Sequence, residues 1–468
     1  MSAGAGGHPP QRPASHELER YAGLFAGRTR VMKSSVMRDL MAITERPDVI
    51  SLAGGLPDTQ TFPPALFRAV MGDVSEATAR ALQYGPTEGQ IGAKDCVIEV
   101  MAAEGMTVGR DDILITTGGQ QVLDLVCKTL VDPGDVIIAE APTYPGAVPT
   151  FCSYQAEVIQ IEVDADGMRI DELERTLDEL AAAGRRPKFI YTIPTFQNPA
   201  GVTMSLGRRR RLIEVARRQE LLVFEDNPYG LLRYEGESLP TLRALDGADL
   251  VIYLGTFSKI LSPGIRVGWA AAPRPVLAKM NLGKQAADLC SSSLSQHFVA
   301  SYFRSGGWLE QIGLLRELYR RRRDVMLDAL SEHFPPAAQW THPEGGLFIW
   351  ATLPSYIDTT DLLALALDEK VAFVPGEAAF LDGRGRSSMR LNFSGVTEEE
   401  IREGIRRIGQ TVNAQVALFD AVSGARRTAP SARPAEEPPV LGPAAPELAD
   451  VFELPRRAGG RREARRGH

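Results

Sequence analysis

The chain has 468 residues, enough for more than one domain around a large buried core. It is 44% hydrophobic and 24% charged, with a formal net charge of −7, which argues against a nucleic-acid-binding protein, whose domains are usually basic. No apolar run reaches the roughly 18 residues of a membrane span, and the opening MSAGAGGHPPQRP lacks the apolar stretch of a secretory leader. Cys96, Cys127, Cys152 and Cys290 are too scattered for zinc spacing or a disulfide framework. They read as reduced thiols of a cytoplasmic protein, and no metal site is expected.

Residues 1–29 open with a Gly/Pro/Ala-rich stretch and are expected to form a flexible arm. Short apolar runs then predict strands at 113–116, 136–139, 156–161, 189–193, 221–225, 251–255 and 267–271. Helical patterns lie between most of them, among them 120–130 and 206–219. Near-continuous apolar strands alternating with helices predict an α/β fold, with a mostly parallel seven-stranded sheet covered on both faces. This large domain is assigned to 63–300. Beyond it the texture changes: a long helical pattern at 309–333 leads to a segment at 345–352 and shorter elements ending near 412. A smaller α+β domain is therefore expected over 301–412, with 30–62 packing against it. Residues 413–468 are expected to form a disordered tail, Pro/Ala/Arg-rich from about 425.

In open α/β sheets, ligands bind beyond the carboxyl ends of the strands. The segment TFSKILSPGIRVGW, residues 256–269, directly follows one strand. A lone loop lysine is ordinarily solvated. Lys259, however, has small and apolar flanks, and a desolvated lysine becomes a nucleophile. Ser258 and Arg266 suit a phosphate group. EDNPYG, residues 225–230, places Asp226 at another strand exit, where it either caps a turn or holds a proton on a heterocyclic nitrogen. Tyr229 lies close enough in sequence to meet the same ligand. TGGQQVLDLV, residues 117–126, puts Gly118 and Gly119 at a strand-to-helix junction, a seat for phosphate at a helix start. PTFQNPAG, residues 194–201, offers Asn198 in a turn, and EAPTYPG, residues 140–146, offers Tyr144 as an aromatic platform. Each motif alone has an ordinary structural explanation. Together they are the groups that bind a phosphorylated pyridine aldehyde and run its chemistry.

The ordered set GGQQ, APTYPG, PTFQNPAG, EDNPYG and TFSKILSPGIRVGW resembles the fold-type I, class I/II aminotransferases over residues 30 to 412. Within them it is similar to the subgroup of 2-aminoadipate aminotransferases and the aminotransferase-like halves of MocR-type regulators. The resemblance implies pyridoxal 5′-phosphate as cofactor. It implies that Lys259 bonds the cofactor and moves the substrate proton, that Asp226 pairs with the ring nitrogen, and that Tyr144 stacks on the ring. Asn198 and Tyr229 would bond the ring oxygen. Gly118, Gly119, Gln120, Ser258 and Arg266 would form the phosphate cup. Arg390, in SSMRLNFS, would grip the substrate α-carboxylate; read alone it is a surface arginine at a strand edge. Gly54 and Gly55, in SLAGGLPD, would line the substrate pocket together with Asn198. Tyr84, in QYGPTEG, would reach the phosphate of a neighbouring subunit, making a homodimer with shared sites. Relatives often carry Ser where this chain has Gly119, so a cup lacking one hydroxyl is expected.

The activity implied is transfer of an amino group from an L-amino acid to a 2-oxo acid, 2-oxoglutarate being the expected acceptor. Donor candidates are 2-aminoadipate, branched-chain and aromatic amino acids. Arg38, in SSVMRDLMAIT, either reads a distal carboxylate or is an ordinary helix arginine. A β-lyase, decarboxylase or synthase on the same scaffold is the alternative. A MocR-like regulator is disfavoured, because only about 30 residues precede the match and the charge balance is acidic. Small molecules are the expected partners, with no nucleic acid and no membrane.

Overall fold

The computed structural model describes residues 21–32, 46, 48–58, 61–247 and 249–423. Arg38, and most of the stretches expected as arm and tail, lie outside the described residues. In chain order the strands are β1 (Ile50–Ser51), β2 (Ile113–Thr116), β3 (Val136–Ala141), β4 (Glu157–Asp164), β5 (Gly167–Met168), β6 (Pro187–Thr192), β7 (Leu222–Asp226), β8 (Val251–Thr256) and β9 (Gly268–Ala271). They are followed by β10 (Gln339–Trp340), β11 (Phe348–Thr352), β12 (Val371–Ala372), β13 (Val374–Pro375) and β14 (Ser388–Asn392).

The main sheet has the order β2-β9-β8-β7-β6-β3-β4-β5. The seven expected strands are all present, and β5 adds an eighth that two residues of sequence are too short to announce. Pairings from β8 through β4 are parallel. β9 runs antiparallel to both β2 and β8, and β5 antiparallel to β4. Consequently β2, β3, β6, β7 and β8 all end at the same edge of the sheet.

Side chains alternate across a strand, and here both faces are buried. Ile137, Ala139, Phe189, Phe224 and Ile252 pack on one face, with the helices Gly119–Leu130 and Arg274–Asp288. Val136, Ile138, Ile190, Val223 and Val251 pack on the other, with Ile170–Ala182 and Leu206–Arg218. Each Val, Ile or Phe side chain among these contributes about 1.5–3 kcal/mol when fully buried. The unbroken apolar runs are the direct result of this two-sided cover. Helix Ile170–Ala182 shows the complementary pattern: Ile170, Leu173, Leu177 and Leu180 are buried while charged residues between them face outward.

A second, antiparallel sheet has the order β10-β11-β14-β13. β1 pairs in parallel with β12, tying the segment around residue 50 to this later part of the chain. The last helix, Glu398–Ser423, runs past the expected boundary at 412. Ile401, Ile405, Ile408 and Val412 are buried at helical spacing, and Val416 continues the stripe with no breaker between them. Among the described residues, no helix is long and apolar enough to cross a membrane.

One carboxyl outside the strand-end region carries a pH signature. Glu104 follows the helix Ile91–Ala103 and accepts hydrogen bonds from Asn227 Nδ2 (2.9 Å) and the Tyr253 hydroxyl (2.7 Å). Burial pushes its carboxyl up to about 7. A carboxyl raised in the folded state stabilises the fold below its unfolded value and loses that contribution as pH rises through the folded one. Glu104→Gln keeps the shape and removes the titration. Its stability relative to the parent is expected to improve by about 2 kcal/mol between pH 5 and pH 8. Thermal midpoints measured at both pH values check this, and a pH-independent gap between the two proteins refutes it.

Candidate active site

Beyond the common edge of β3, β6, β7 and β8 lies a cavity of about 670 Å³. Its wall contains Gly55, Gly119, Gln120, Tyr144, Asn198, Asp226, Tyr229, Ser258, Lys259, Arg266 and Arg390. Gly54 is buried next to Gly55, and Gly118 lies beneath Arg266. Tyr84 does not line the cavity and is 79% exposed. The other candidate substrate residue, Arg38, lies outside the described residues.

Lys259 stands just after β8, in a tight turn. Its Nζ donates to the Gly55 carbonyl at 2.6 Å. Burial, followed by the positive charges of Arg390 and Arg266, lowers the ammonium to about 8, against the pull of Asp226. A sizeable neutral fraction at mildly alkaline pH makes this amine a competent nucleophile and base. Asp226 ends β7 and is 4% exposed. It does not cap the turn after the strand: its Oδ2 accepts the Tyr191 hydroxyl at 2.7 Å. Burial pushes its carboxyl up to about 7, opposed by that hydrogen bond and by Lys259.

A second group of atoms surrounds Asn198, in the loop after β6. Its Nδ2 donates to the Tyr229 hydroxyl at 3.4 Å, and its Oδ1 accepts Nη1 of Arg390 at 3.0 Å. Arg390 also donates Nη2 to the Ala53 carbonyl at 2.7 Å and stacks 4.3 Å above the Phe348 ring. It is 1% exposed on β14, which lies inside its sheet between β11 and β13, so it is no edge residue. Burial lowers the guanidinium to about 10. Burial likewise raises the Tyr144 phenol, with Asp226 adding to the effect.

The third group is a cup for an anion. Arg266 has a left-handed backbone (φ 53°), and its Nη2 donates to the Thr117 carbonyl at 3.3 Å. No carboxylate pairs with this guanidinium among the described residues. Gly118 has φ +76°, and a Cβ there would sit 2.5 Å from Arg266 Nη2, so only glycine lets the guanidinium settle on the turn. The helix Gly119–Leu130 begins at that turn, and the amides of a first turn have no helical acceptor. The Ser258 hydroxyl closes the cup, held by Thr256 Oγ1 at 2.9 Å. The Gln120 side chain turns aside to Thr150 Oγ1 at 2.7 Å. A Cβ on Gly119 would come within 3.1 Å of Leu254 Cδ2, so the residue at this position also answers to packing beneath it.

Two neighbours were not legible in the sequence. Tyr191 reads as one more apolar strand residue; only the pairing of β6 with β7 brings it to Asp226. Phe348 reads as core, and the contact with Arg390 arises from the pairing of β11 with β14. No local motif signals either.

The family model for aminotransferase class I and II matches residues 47–408. The aromatic-amino-acid aminotransferase 1 of Thermococcus litoralis is 46% identical over 399 residues, 85% of this chain and 95% of that protein. The 2-aminoadipate transaminase of Thermus thermophilus is 38% identical over 407 residues, 85% of this chain and 97% of that protein. Among solved structures, the Pyrococcus horikoshii kynurenine aminotransferase, crystallised with PMP, superposes with a TM-score of 0.81 at 42% identity. That match covers 86% of this chain and 99% of the other.

Proposed function

We propose, from the premise that this chain belongs to the class I and II aminotransferases, that it transfers the amino group of an aromatic, branched-chain or 2-aminoadipate-like L-amino acid to 2-oxoglutarate. Amino-group transfer with pyridoxal phosphate follows from the family; the donor, the acceptor and the residue roles are the proposal. The observation that carries it is the convergence of Lys259, Asp226, Arg390 and an anion cup on one cavity.

The donor set fits the cofactor. A guanidinium that has no carboxylate partner among the described residues, a serine hydroxyl and helix-start amides suit a phosphate dianion. Asp226 suits a protonated ring nitrogen, Asn198 and Tyr229 a ring oxygen, and Lys259 an aldehyde. When bound, the cofactor supplies a carbonyl that takes up the amino group and a ring that accepts electrons from Cα.

Everything else is done by the chain. Arg266, Ser258 and the amides of Gly119 and Gln120 hold the phosphate. Asp226 would hold a proton on the ring nitrogen, and Tyr144 would pack against the ring. Arg390, its plane fixed by Phe348, Asn198 and Ala53, orients the substrate α-carboxylate. Lys259, with its lowered proton affinity, would take the proton from the substrate Cα. Gly55, whose carbonyl meets the Lys259 amine, lines the space left for the side chain, with Gly54 buried beside it.

The reading includes a homodimer. Leu82, Tyr84 and Ile91 are 72%, 79% and 62% exposed and would supply apolar side chains to such an interface. Gly85, next to Tyr84, packs against Ser293, and Ser291 nearby touches Thr117 of the anion cup. In this reading, which rests on the family resemblance, Tyr84 of one subunit reaches towards the phosphate held by its partner.

The test is a screen of amino donors with 2-oxoglutarate, read by product chromatography. Stoichiometric formation of glutamate and the matching oxo acid is expected for at least one aromatic, branched-chain or 2-aminoadipate donor. Consumption of an amino acid without oxo-acid exchange would instead indicate a lyase or synthase.

A further inference from the structure

Tyr191 belongs to no motif, yet it touches the carboxylate on which the proposed chemistry depends. It lies on β6 opposite Phe224 of β7, and Asp226 follows two residues later on the same face. The Tyr191 hydroxyl donates to Asp226 Oδ2 at 2.7 Å. Its ring is 0% exposed and held edge-on by Phe151 and Phe224, at 5.3 and 5.5 Å between centroids. The hydroxyl therefore has one place to point.

The other charged and titratable groups facing Asp226 are few. Glu140 comes from β3, Tyr144 from the loop after it, Tyr229 from the loop after β7, and Lys259 from the turn after β8. Glu140 opposes ionisation of Asp226, as does burial; Tyr191 and Lys259 favour it. Lys259 is assigned to the cofactor aldehyde in the reading above, whereas the Tyr191 hydroxyl has Asp226 as its partner. Burial and the nearby carboxylates hold its own phenol well above the usual range, so it keeps its proton.

We propose that Tyr191 is a positioning residue for amino transfer, whose hydroxyl fixes the Asp226 carboxylate and sustains its ionised form beneath the pyridine nitrogen. The inference rests on the reading of Asp226 given above. A neutral donor has a chemical advantage over an arginine in this place. It stabilises the carboxylate without neutralising it, so the full negative charge remains for the ring nitrogen.

The test is a four-protein cycle: parent, Tyr191→Phe, Asp226→Asn, and the double variant. Cofactor affinity of each cofactor-free protein is measured across acid to mildly alkaline pH, alongside kcat and KM at neutral pH. The parent is expected to lose affinity as pH falls through about 7. In Tyr191→Phe that loss sets in at higher pH, and kcat falls about tenfold with the donor KM little changed, the size expected for a hydrogen bond to a charged group. In the Asp226→Asn background, removing the hydroxyl should change nothing further. A Tyr191→Phe protein with the parent's pH profile, or equal losses in both backgrounds, overturns the inference. Unchanged affinity and rate in Asp226→Asn alone would instead defeat the reading of Asp226.

Discussion

Replacing Lys259 with alanine is expected to abolish the visible absorbance of lysine-bound cofactor and lower amino transfer by about 1000-fold or more. The size follows from two functions held in one side chain. Lys259 is the amine aimed into the cavity from the end of β8, and its proton affinity is set near 8 by its surroundings. Among the described residues, no other lysine lines the cavity. The phosphate cup and the Tyr191–Asp226 hydrogen bond remain in place, so the variant should still bind cofactor, now exchangeably. Spectra with and without dialysis, together with a single-turnover assay, separate these effects. Turnover within tenfold of the parent would remove Lys259 from the chemistry.

Arg390→Lys is expected to lower kcat/KM by about 100-fold for amino and oxo substrates alike, while leaving the lysine–cofactor absorbance intact. Lysine keeps the charge but loses the planar fork. It cannot bond Asn198 and Ala53, lie flat on Phe348 and still present two parallel donors to a carboxylate. Steady-state kinetics with an amino acid and with its decarboxylated amine gives the decisive comparison. The loss should vanish for the amine, which has no carboxylate to grip. An equal loss for both would show that Arg390 merely supports the fold.

The parts of this site that were legible share one property. Lys259, Asp226, Asn198, Tyr144 and the Gly118–Gly119 turn each follow an apolar run directly, and strands buried on both faces leave long runs of that kind. The edge of the sheet could therefore be read residue by residue. Arg390 could not be read so. It lies within a strand of the other sheet, where alternation says nothing about what faces it, and only the resemblance singled it out. Tyr191 was invisible for a related reason: its contact depends on the register of β6 against β7. The eighth strand has no signal because two residues carry no period, and the last helix runs past 412 because no breaker follows its apolar stripe.

The hydrogen bonds that join Gly55 to Lys259 and Ala53 to Arg390 have a consequence for how the molecule is made. They span 204 and 337 positions of the chain. No fragment emerging from the ribosome holds the cavity until β14 has been synthesised and docked, because its wall includes Arg390. Contacts of such range are costly to close and form late. Cofactor capture thus becomes a checkpoint on the finished fold. A chain that retains the coenzyme has, by that fact, brought the segment after β1 against the end of β8 and against β14.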